Sequence, residues 1–453
     1  MRRVIIFVAA LLLAFTSFAQ MRTAYFMDGS YFRNDMNPAL IPSRGYIVLP
    51  VLSGTGLGLN NNFLSVDNFI YNRDGQTVTA LDSRVSTSDF IDKLPQNSHL
   101  NLNADIRLLA VGFSTKKAFW NFGANLRVNA DVATDRTLFY ALKNIGNGTY
   151  DLSTVGVDAS AYAELYFGAC IPVTEWLNVG AKAKGLVGIV NLNGQLADSY
   201  FSVTRSEVAA NISGTLRASG IVVNPNYPIG EQVDLEQMIG EPLENGINSG
   251  GAALDFGAEA RLLGDRLRVS VGVTDLGFIS WSAKSSAAAS VNYDLKYRGY
   301  NFNTGELDMT SEGNITTATP AGYTRRLNTT LNVGVEYNIL NDRIAFGLLS
   351  HTEFRQLYTS SELTASVNFR LAKLFSATFS HTFCGRNRPG VLGFALNLHP
   401  PGANLFFGFD YLDTSYVLAG KFVAPKYQKS FNFYTGLGFN LGKSFVVKMQ
   451  HLP

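Results

Sequence analysis

The stretch FWNFGANLRVNADV, residues 119–132, decides the fold. Trp120, Phe122, Ala124, Leu126, Val128, Ala130 and Val132 fall on one side. Asn121, Gly123, Asn125, Arg127, Asn129 and Asp131 fall on the other. A strict period of two is the mark of a strand with unlike faces. Its length is unusual, since strands of soluble domains average about 5–6 residues. A long strand with one apolar and one wet face is what a barrel needs when lipid lies outside and water inside.

The same alternation recurs along the chain at 155–171, 254–262, 363–371 and 431–441. Connections alternate too. Tight turns are expected near Lys116-Lys117, Val173–Trp176, Gly264-Asp265, Asn341-Asp342, Ala372–Leu374 and His399–Gly402. Longer polar connections fall near 61–98, 134–154, 195–250, 282–324 and 413–428. Short turns at one end and long loops at the other are the pattern of outer-membrane barrels. The expected fold is therefore all-β, a transmembrane antiparallel β-barrel of about 14 strands spread over 46–442. Strand-like text at 200–220 and 287–299 reads as hairpins rising above the membrane, with 16 or 18 strands as the alternatives. Loop helices are expected at 137–143 and 232–240.

Composition agrees with this class. Charged residues make up 16% of the chain, against roughly 25% in soluble domains. Aromatic residues reach 12%, glycines number 42, and no later run of 18 apolar residues suggests a helical span. The net charge of +2 points to no particular partner, and none is expected among nucleic acids. Residues 1–19 read as a signal peptide, with Arg2 and Arg3, an apolar run over 4–15, and a small-residue cleavage site at Ala19. The expected address is the outer membrane of a Gram-negative bacterium, with outer-membrane lipid around the barrel. Cys170 and Cys384 are too few for a disulfide framework and read as free thiols.

One stretch breaks the rhythm. AYFMDGSYFRNDMNPALIPSRG, residues 24–45, has no clean period and carries Gly29, Pro38 and Pro42. It reads as an N-terminal plug, or hatch, over 20–45, with the barrel of 46–453 closed around it.

This organisation resembles the long-chain fatty-acid transporter (FadL-type) superfamily of outer-membrane barrels. Asn37-Pro38-Ala39 matches the Asn-Pro-Ala motif of that superfamily's hatch and stands directly before the first strand. The tighter resemblance is to an uncharacterised Bacteroidota family of such barrels. It is carried by Tyr25–Ser30, Asn37–Ala39, Arg44-Gly45-Tyr46 and Val273–Trp281, and it covers essentially the whole chain after residue 19. It implies an outer-membrane location, and the first expectation for function is passive uptake of a small hydrophobic, fatty-acid-like compound through a plugged barrel. The alternative is a non-transporting secretion-machinery or surface subunit whose outer loops meet protein partners.

The candidate residues follow from both readings. Asn37, Pro38 and Ala39 are the expected hinge of the plug, because proline fixes φ and asparagine bonds local backbone. Tyr25, Phe26, Tyr31 and Phe32 suit either an acyl pocket or packing of the plug against the wall. Inward Arg107 and Arg127 suit an anionic head group, or else a salt-bridged lumen. Asp275, Gly277 and Trp281 mark a possible strand kink, with Trp281 expected at the lipid headgroup level. In the fatty-acid transporters such a kink opens a lateral path. No catalytic residue, metal site or cofactor is expected. The histidines are scattered, there is no GxSxG elbow, and the glycines at 54–58 alternate within a strand rather than form a phosphate loop.

Overall fold

The computed structural model describes residues 21–442, apart from 28, 50–54, 145–147, 205–206, 221–248, 302–305, 316–318, 373, 384–389, 401, 414, 420–421 and 428. The expected signal peptide, the loop helix at 232–240, Cys384 and the tail from 443 lie outside these residues.

Fourteen antiparallel strands close the barrel. The first, β1, comes in two pieces, Gly45–Val48 and Thr55–Asn61, on either side of Pro50. There follow β2 (Asn97–Ser114), β3 (Phe119–Asp135), β4 (Gly156–Pro172) and β5 (Leu177–Leu196). Next come β6 (Ser249–Leu262), β7 (Leu267–Trp281), β8 (Thr329–Ile339) and β9 (Ile344–Phe354). The last are β10 (Thr359–Ala372), β11 (Phe375–Phe383), β12 (Val391–Leu398), β13 (Ala403–Leu412) and β14 (Phe431–Leu441). β14 closes on β1 through Gly45↔Leu441 and Leu59↔Phe431. Among the described residues, closure leaves no spanning strand without a partner on either side.

The period of two is realised as an inversion of the usual burial. Leu165, Phe167, Leu254, Phe256, Phe346 and Phe379 point outward and are exposed. Asn101, Asp131, Asp158, Glu164, Glu336 and Asn397 point inward and are fully buried. Charged and amide side chains are seldom fully buried in soluble domains, whereas this arrangement is stable with lipid outside. His381 lies on the outward face with Phe379 and Phe383, its ring edge-on to Phe383 at 4.8 Å.

The short turns tighten through left-handed residues, among them Leu263, Gly264 and Asp265, and Leu340, Asn341 and Asp342. At the other end the long loops are built. Strand Val208–Ser219 pairs with the outer half of β5 and with strand Ser286–Asn301, which pairs in turn with Glu306–Ile315. These strands extend the wall and add no spanning pair, so the count of 14 stands over 16 or 18. The helix Thr137–Lys143 is present. It packs Phe139 into a cap formed by the first long loop, where Tyr71, Val78, Phe90 and Leu94 make a separate apolar core.

Candidate functional site: the plugged lumen

Residues 21–44 run through the lumen, with one short helix, Arg33–Met36. Ala24, Tyr25, Met27, Phe32, Asn37 and Ala39 are almost wholly buried there. The fit is made by glycines on the inner wall. A Cβ at Gly438 would stand 2.7 Å from the Tyr31 ring, one at Gly334 2.7 Å from Tyr25, and one at Gly272 2.9 Å from the Asn37 Cβ. Gly180 leaves room for Pro38, Gly347 for Phe26 and Gly393 for Thr23. Side chains at these positions would occupy the space of the plug itself.

On one side the grip is apolar. The Phe32 ring lies 4.2 Å from the Phe406 ring, and Tyr31 meets Phe406 edge-on at 5.6 Å and Tyr46 at 5.0 Å. Wall side chains also bond the plug backbone: Asn332 Nδ2 donates to the Met36 carbonyl at 3.0 Å and Arg370 to that of Phe26 at 3.1 Å.

On the other side the grip is ionic. Asp35 is paired with Arg107 and with Lys182 at 3.0 Å. Burial alone would raise the Asp35 carboxyl, but Arg107 and Lys182 outweigh it and hold the group well below the usual carboxylate range. Arg22 pairs with Glu362 at 2.5 Å near the start of the plug.

The hinge candidates touch β4, β5, β6 and β7. Asn37 Nδ2 donates to the Val271 carbonyl at 3.1 Å, and its Oδ1 accepts from the Ala39 amide at 2.9 Å. The buried free thiol of Cys170 lies 3.5 Å from the Ala39 carbonyl. Of the four plug rings, Phe32 also lines a chamber above the plug, while Tyr25, Phe26 and Tyr31 are set into the wall. Arg127 faces Glu164 at 3.3 Å, Asp275 at 3.4 Å and Asp105 at 3.7 Å. Arg107 and Arg127 are therefore engaged by carboxylates. The other inward charges pair as well: Lys184 with Asp275 at 2.6 Å and Asp255 at 2.8 Å, Arg261 with Glu259 at 3.0 Å, and Arg370 with Glu336.

The chamber has a volume of about 120 Å³, with Phe32, Asp35 and Met36 in its floor and Asn103, Arg127 and Asp275 in its walls. Towards the long-loop mouth a second cavity, a vestibule of about 640 Å³, reaches down to Arg22. Glu353 and Arg355 border both.

At Asp275 the wall is broken. Asp275 has φ +60°, and the register between β6 and β7 shifts opposite it, from Leu254↔Leu276 to Phe256↔Val273. Pairing of β7 with β8 ends at Thr274↔Thr330 and resumes with strand Tyr323–Arg326 at Phe278. The bulge thus sits at Asp275 and not at Gly277. Gly277 instead lets β6 approach, since its Cβ would press on Ala253. The bulge also corrects the expectation for Trp281. Before it Val271 faces outward, after it Leu276 and Phe278 do, so Trp281 turns inward and is buried against Gly188. Trp281, Ile279, Leu186, Ala253, Leu327 and Tyr162 form an apolar cluster inside the wall beside this seam.

A model of a family of unknown function, DUF5723, matches residues 38–410. The chain belongs to this family. No curated protein matches the sequence. Among solved structures, this DUF5723 chain is similar to the toluene transporter TbuX of Ralstonia pickettii. The identity is 10%, coverage is 90% of this chain and 92% of that one, and the TM-score is 0.39. The toluene transporter TodX of Pseudomonas putida is similar at 10% identity, 94% of both chains and a TM-score of 0.34. A FadL homologue of Pseudomonas aeruginosa is similar at 9% identity, 92% of both chains and a TM-score of 0.36. At such scores the likeness carries no argument about what the DUF5723 barrel handles, and its own geometry must do so.

Proposed function

We propose that this protein resides in the outer membrane, after loss of its first 19 residues, and takes up a small hydrophobic or amphipathic compound passively through the plugged barrel. The observation that carries the reading is the succession of vestibule, chamber and seam above the N-terminal segment, with Glu353 and Arg355 bordering both cavities. Tyr162 borders the chamber and also belongs to the apolar cluster beside the seam. A compound with a polar end and an apolar body has a place for each. Asn37-Pro38-Ala39 acts as the hinge, because the triplet joins the short helix to the wall at the point where the plug meets Gly180, Cys170 and Val271. The interruption at Asp275 is the point from which a lateral route would open.

A second reading, presentation of outer loops to a protein partner, is favoured by one observation. The cap over 62–96 is folded around its own core, and Leu81, Tyr140 and Leu142 remain exposed on it and on the helix beside it.

A reversible lock on the plug tests the first reading. In a Cys384→Ser background, Ala39→Cys is cross-linked to native Cys170, with closure checked by loss of free thiol. Uptake of a radiolabelled long-chain fatty acid and of radiolabelled toluene is followed in a Gram-negative host lacking its own carrier. Uptake of at least one compound should fall to the empty-host level on oxidation and return on reduction. Equal uptake with the plug locked and released, or no uptake of either compound above the empty host, would overturn the reading.

A further inference from the structure

The vestibule is the larger cavity, and its volume of about 640 Å³ lies within the range of small-molecule sites, roughly 300–1,000 Å³. Its floor is the side chain of Arg355, which crosses the lumen from the end of β9. Arg355 donates to Glu353 at 2.7 Å, to both Asp131 oxygens at 3.1 and 3.2 Å, and to the side-chain Oδ1 of Asn103 at 3.1 Å. The Tyr358 hydroxyl donates to Asp131 at 3.1 Å, and the Tyr358 ring is stacked on His99 at 4.0 Å. His351 stands between Asn332 at 2.6 Å and Glu353 at 3.2 Å. This network separates the vestibule from the chamber below, so a solute moving inward must compete with it.

The network selects by charge. An anionic head would satisfy Arg355 but strand Asp131 and Glu353, both nearly fully buried, without their cation. A cationic head would do the reverse. A pair of neighbouring hydroxyls offers lone pairs to the guanidinium and O–H donors to the carboxylates together, and leaves neither sign unpaired. Among the other vestibule charges, Arg22 pairs with Glu362 and Lys93 with Asp67, Lys429 donates to the Asn62 carbonyl at 3.3 Å, and Asp92 also lines the wall. The Tyr358 and His99 rings add a flat flank against which the C–H face of a saturated ring can lie.

We propose that the vestibule floor around Arg355, Asp131, Glu353 and Tyr358 recognises an uncharged, hydroxyl-rich head of the sugar type. The proposal rests on the conduit reading and names the polar end of its cargo.

The test uses the full-length protein in lipid nanodiscs and three probes of equal chain length: octyl glucoside, octanoate and octyltrimethylammonium. Binding is measured as the excess over empty nanodiscs, below micellar concentration. The glucoside should bind at least fivefold better than either charged probe. Its excess should fall at least tenfold in Arg355→Ala, and equally in Ser360→Trp, which fills the vestibule from β10 directly opposite Glu353. Barrel folding in each variant is checked by heat-modifiable migration. Should Arg355→Ala not fold, the wild-type preference and Ser360→Trp still decide. Equal binding of the three heads, preference for octanoate, or glucoside binding that survives Ser360→Trp would each overturn the proposal. Glucoside bound selectively but never carried inward would sink the conduit reading and leave this site standing. Carriage without head preference would do the opposite.

Discussion

The two sides of the barrel hold the same plug by different physics. On the side of β10–β14 the inner wall around Tyr31 and Phe32 is made of hydroxyls, amides, glycines and two rings, such as Thr364, Ser366, Ser380, Gly436, Phe406 and Tyr434, and meets them by shape, while Glu362, Arg370 and Asp410 hold Arg22, Phe26 and Thr23 nearer the start of the plug. On the side of β2–β7 it is dense in charge, with Arg107, Arg127, Glu164, Lys182, Lys184, Asp255 and Asp275, and it meets the plug through Asp35. Shape complementarity is non-directional and insensitive to salt. An ion pair beside a wet chamber is open to competition from water, salt or a cargo. The neutral patch around Tyr31 and Phe32 is therefore the seal and the Asp35 side the latch, and a plug that must yield to a cargo would be released from the latch.

The strongest way to break this contrast is to remove the seal. Phe32→Ala deletes a fully buried ring and should cost plug docking about 4 kcal/mol. Read as labelling of Cys170 by maleimide in the Cys384→Ser protein, that is a rise of up to about a thousandfold. Unlatching comes next. Asp35→Ala leaves Arg107 and Lys182 buried without their carboxylate and should cost about 2 kcal/mol, the figure being moderated by the partial exposure of Asp35 to the chamber. High salt should narrow the gap between this variant and the wild type, and leave the Phe32→Ala effect unchanged. Asn37→Ala removes bonds to Val271 and to the Ala39 amide and should cost about 1 kcal/mol. The smallest effect is that of pH. Because the Asp35 carboxyl is held below its ordinary value, its contribution is complete above about pH 4 and is lost only as pH falls towards the depressed value. The Asp35 share of Cys170 protection, read as the difference between the native chain and Asp35→Ala at each pH, should not change between pH 8 and pH 5.

The barrel was legible because its logic is local. In residues 119–132 each residue's side of the wall follows from its parity, and turn residues such as Asn341-Asp342 mark the ends. The break in that rhythm over 24–45 is what sets this segment apart from the strands. The contents of the site were less so. Trp281 was misplaced because a single left-handed residue, Asp275, reverses parity for the rest of β7, and nothing in the local pattern announces it. Asp35 stood in plain view among the plug charges, yet its partners lie 72 and 147 residues away. Arg355 went unnoticed because it follows the regular part of β9, and its reach to Asp131 spans 224 residues. The glycines facing the plug show as interruptions of an apolar or polar face. Their purpose appears only once the plug's course is known.

The most direct test of the central claim, that the N-terminal segment fills the lumen at the level of the wall glycines, is labelling of Cys170 in the Cys384→Ser protein, in native membranes, with a bulky maleimide. The account predicts strong protection in the otherwise native chain and rapid labelling when Phe32 is replaced by Ala. Rapid labelling of both at the same rate would show that the plug does not cover Ala39 and Cys170, and would contradict it.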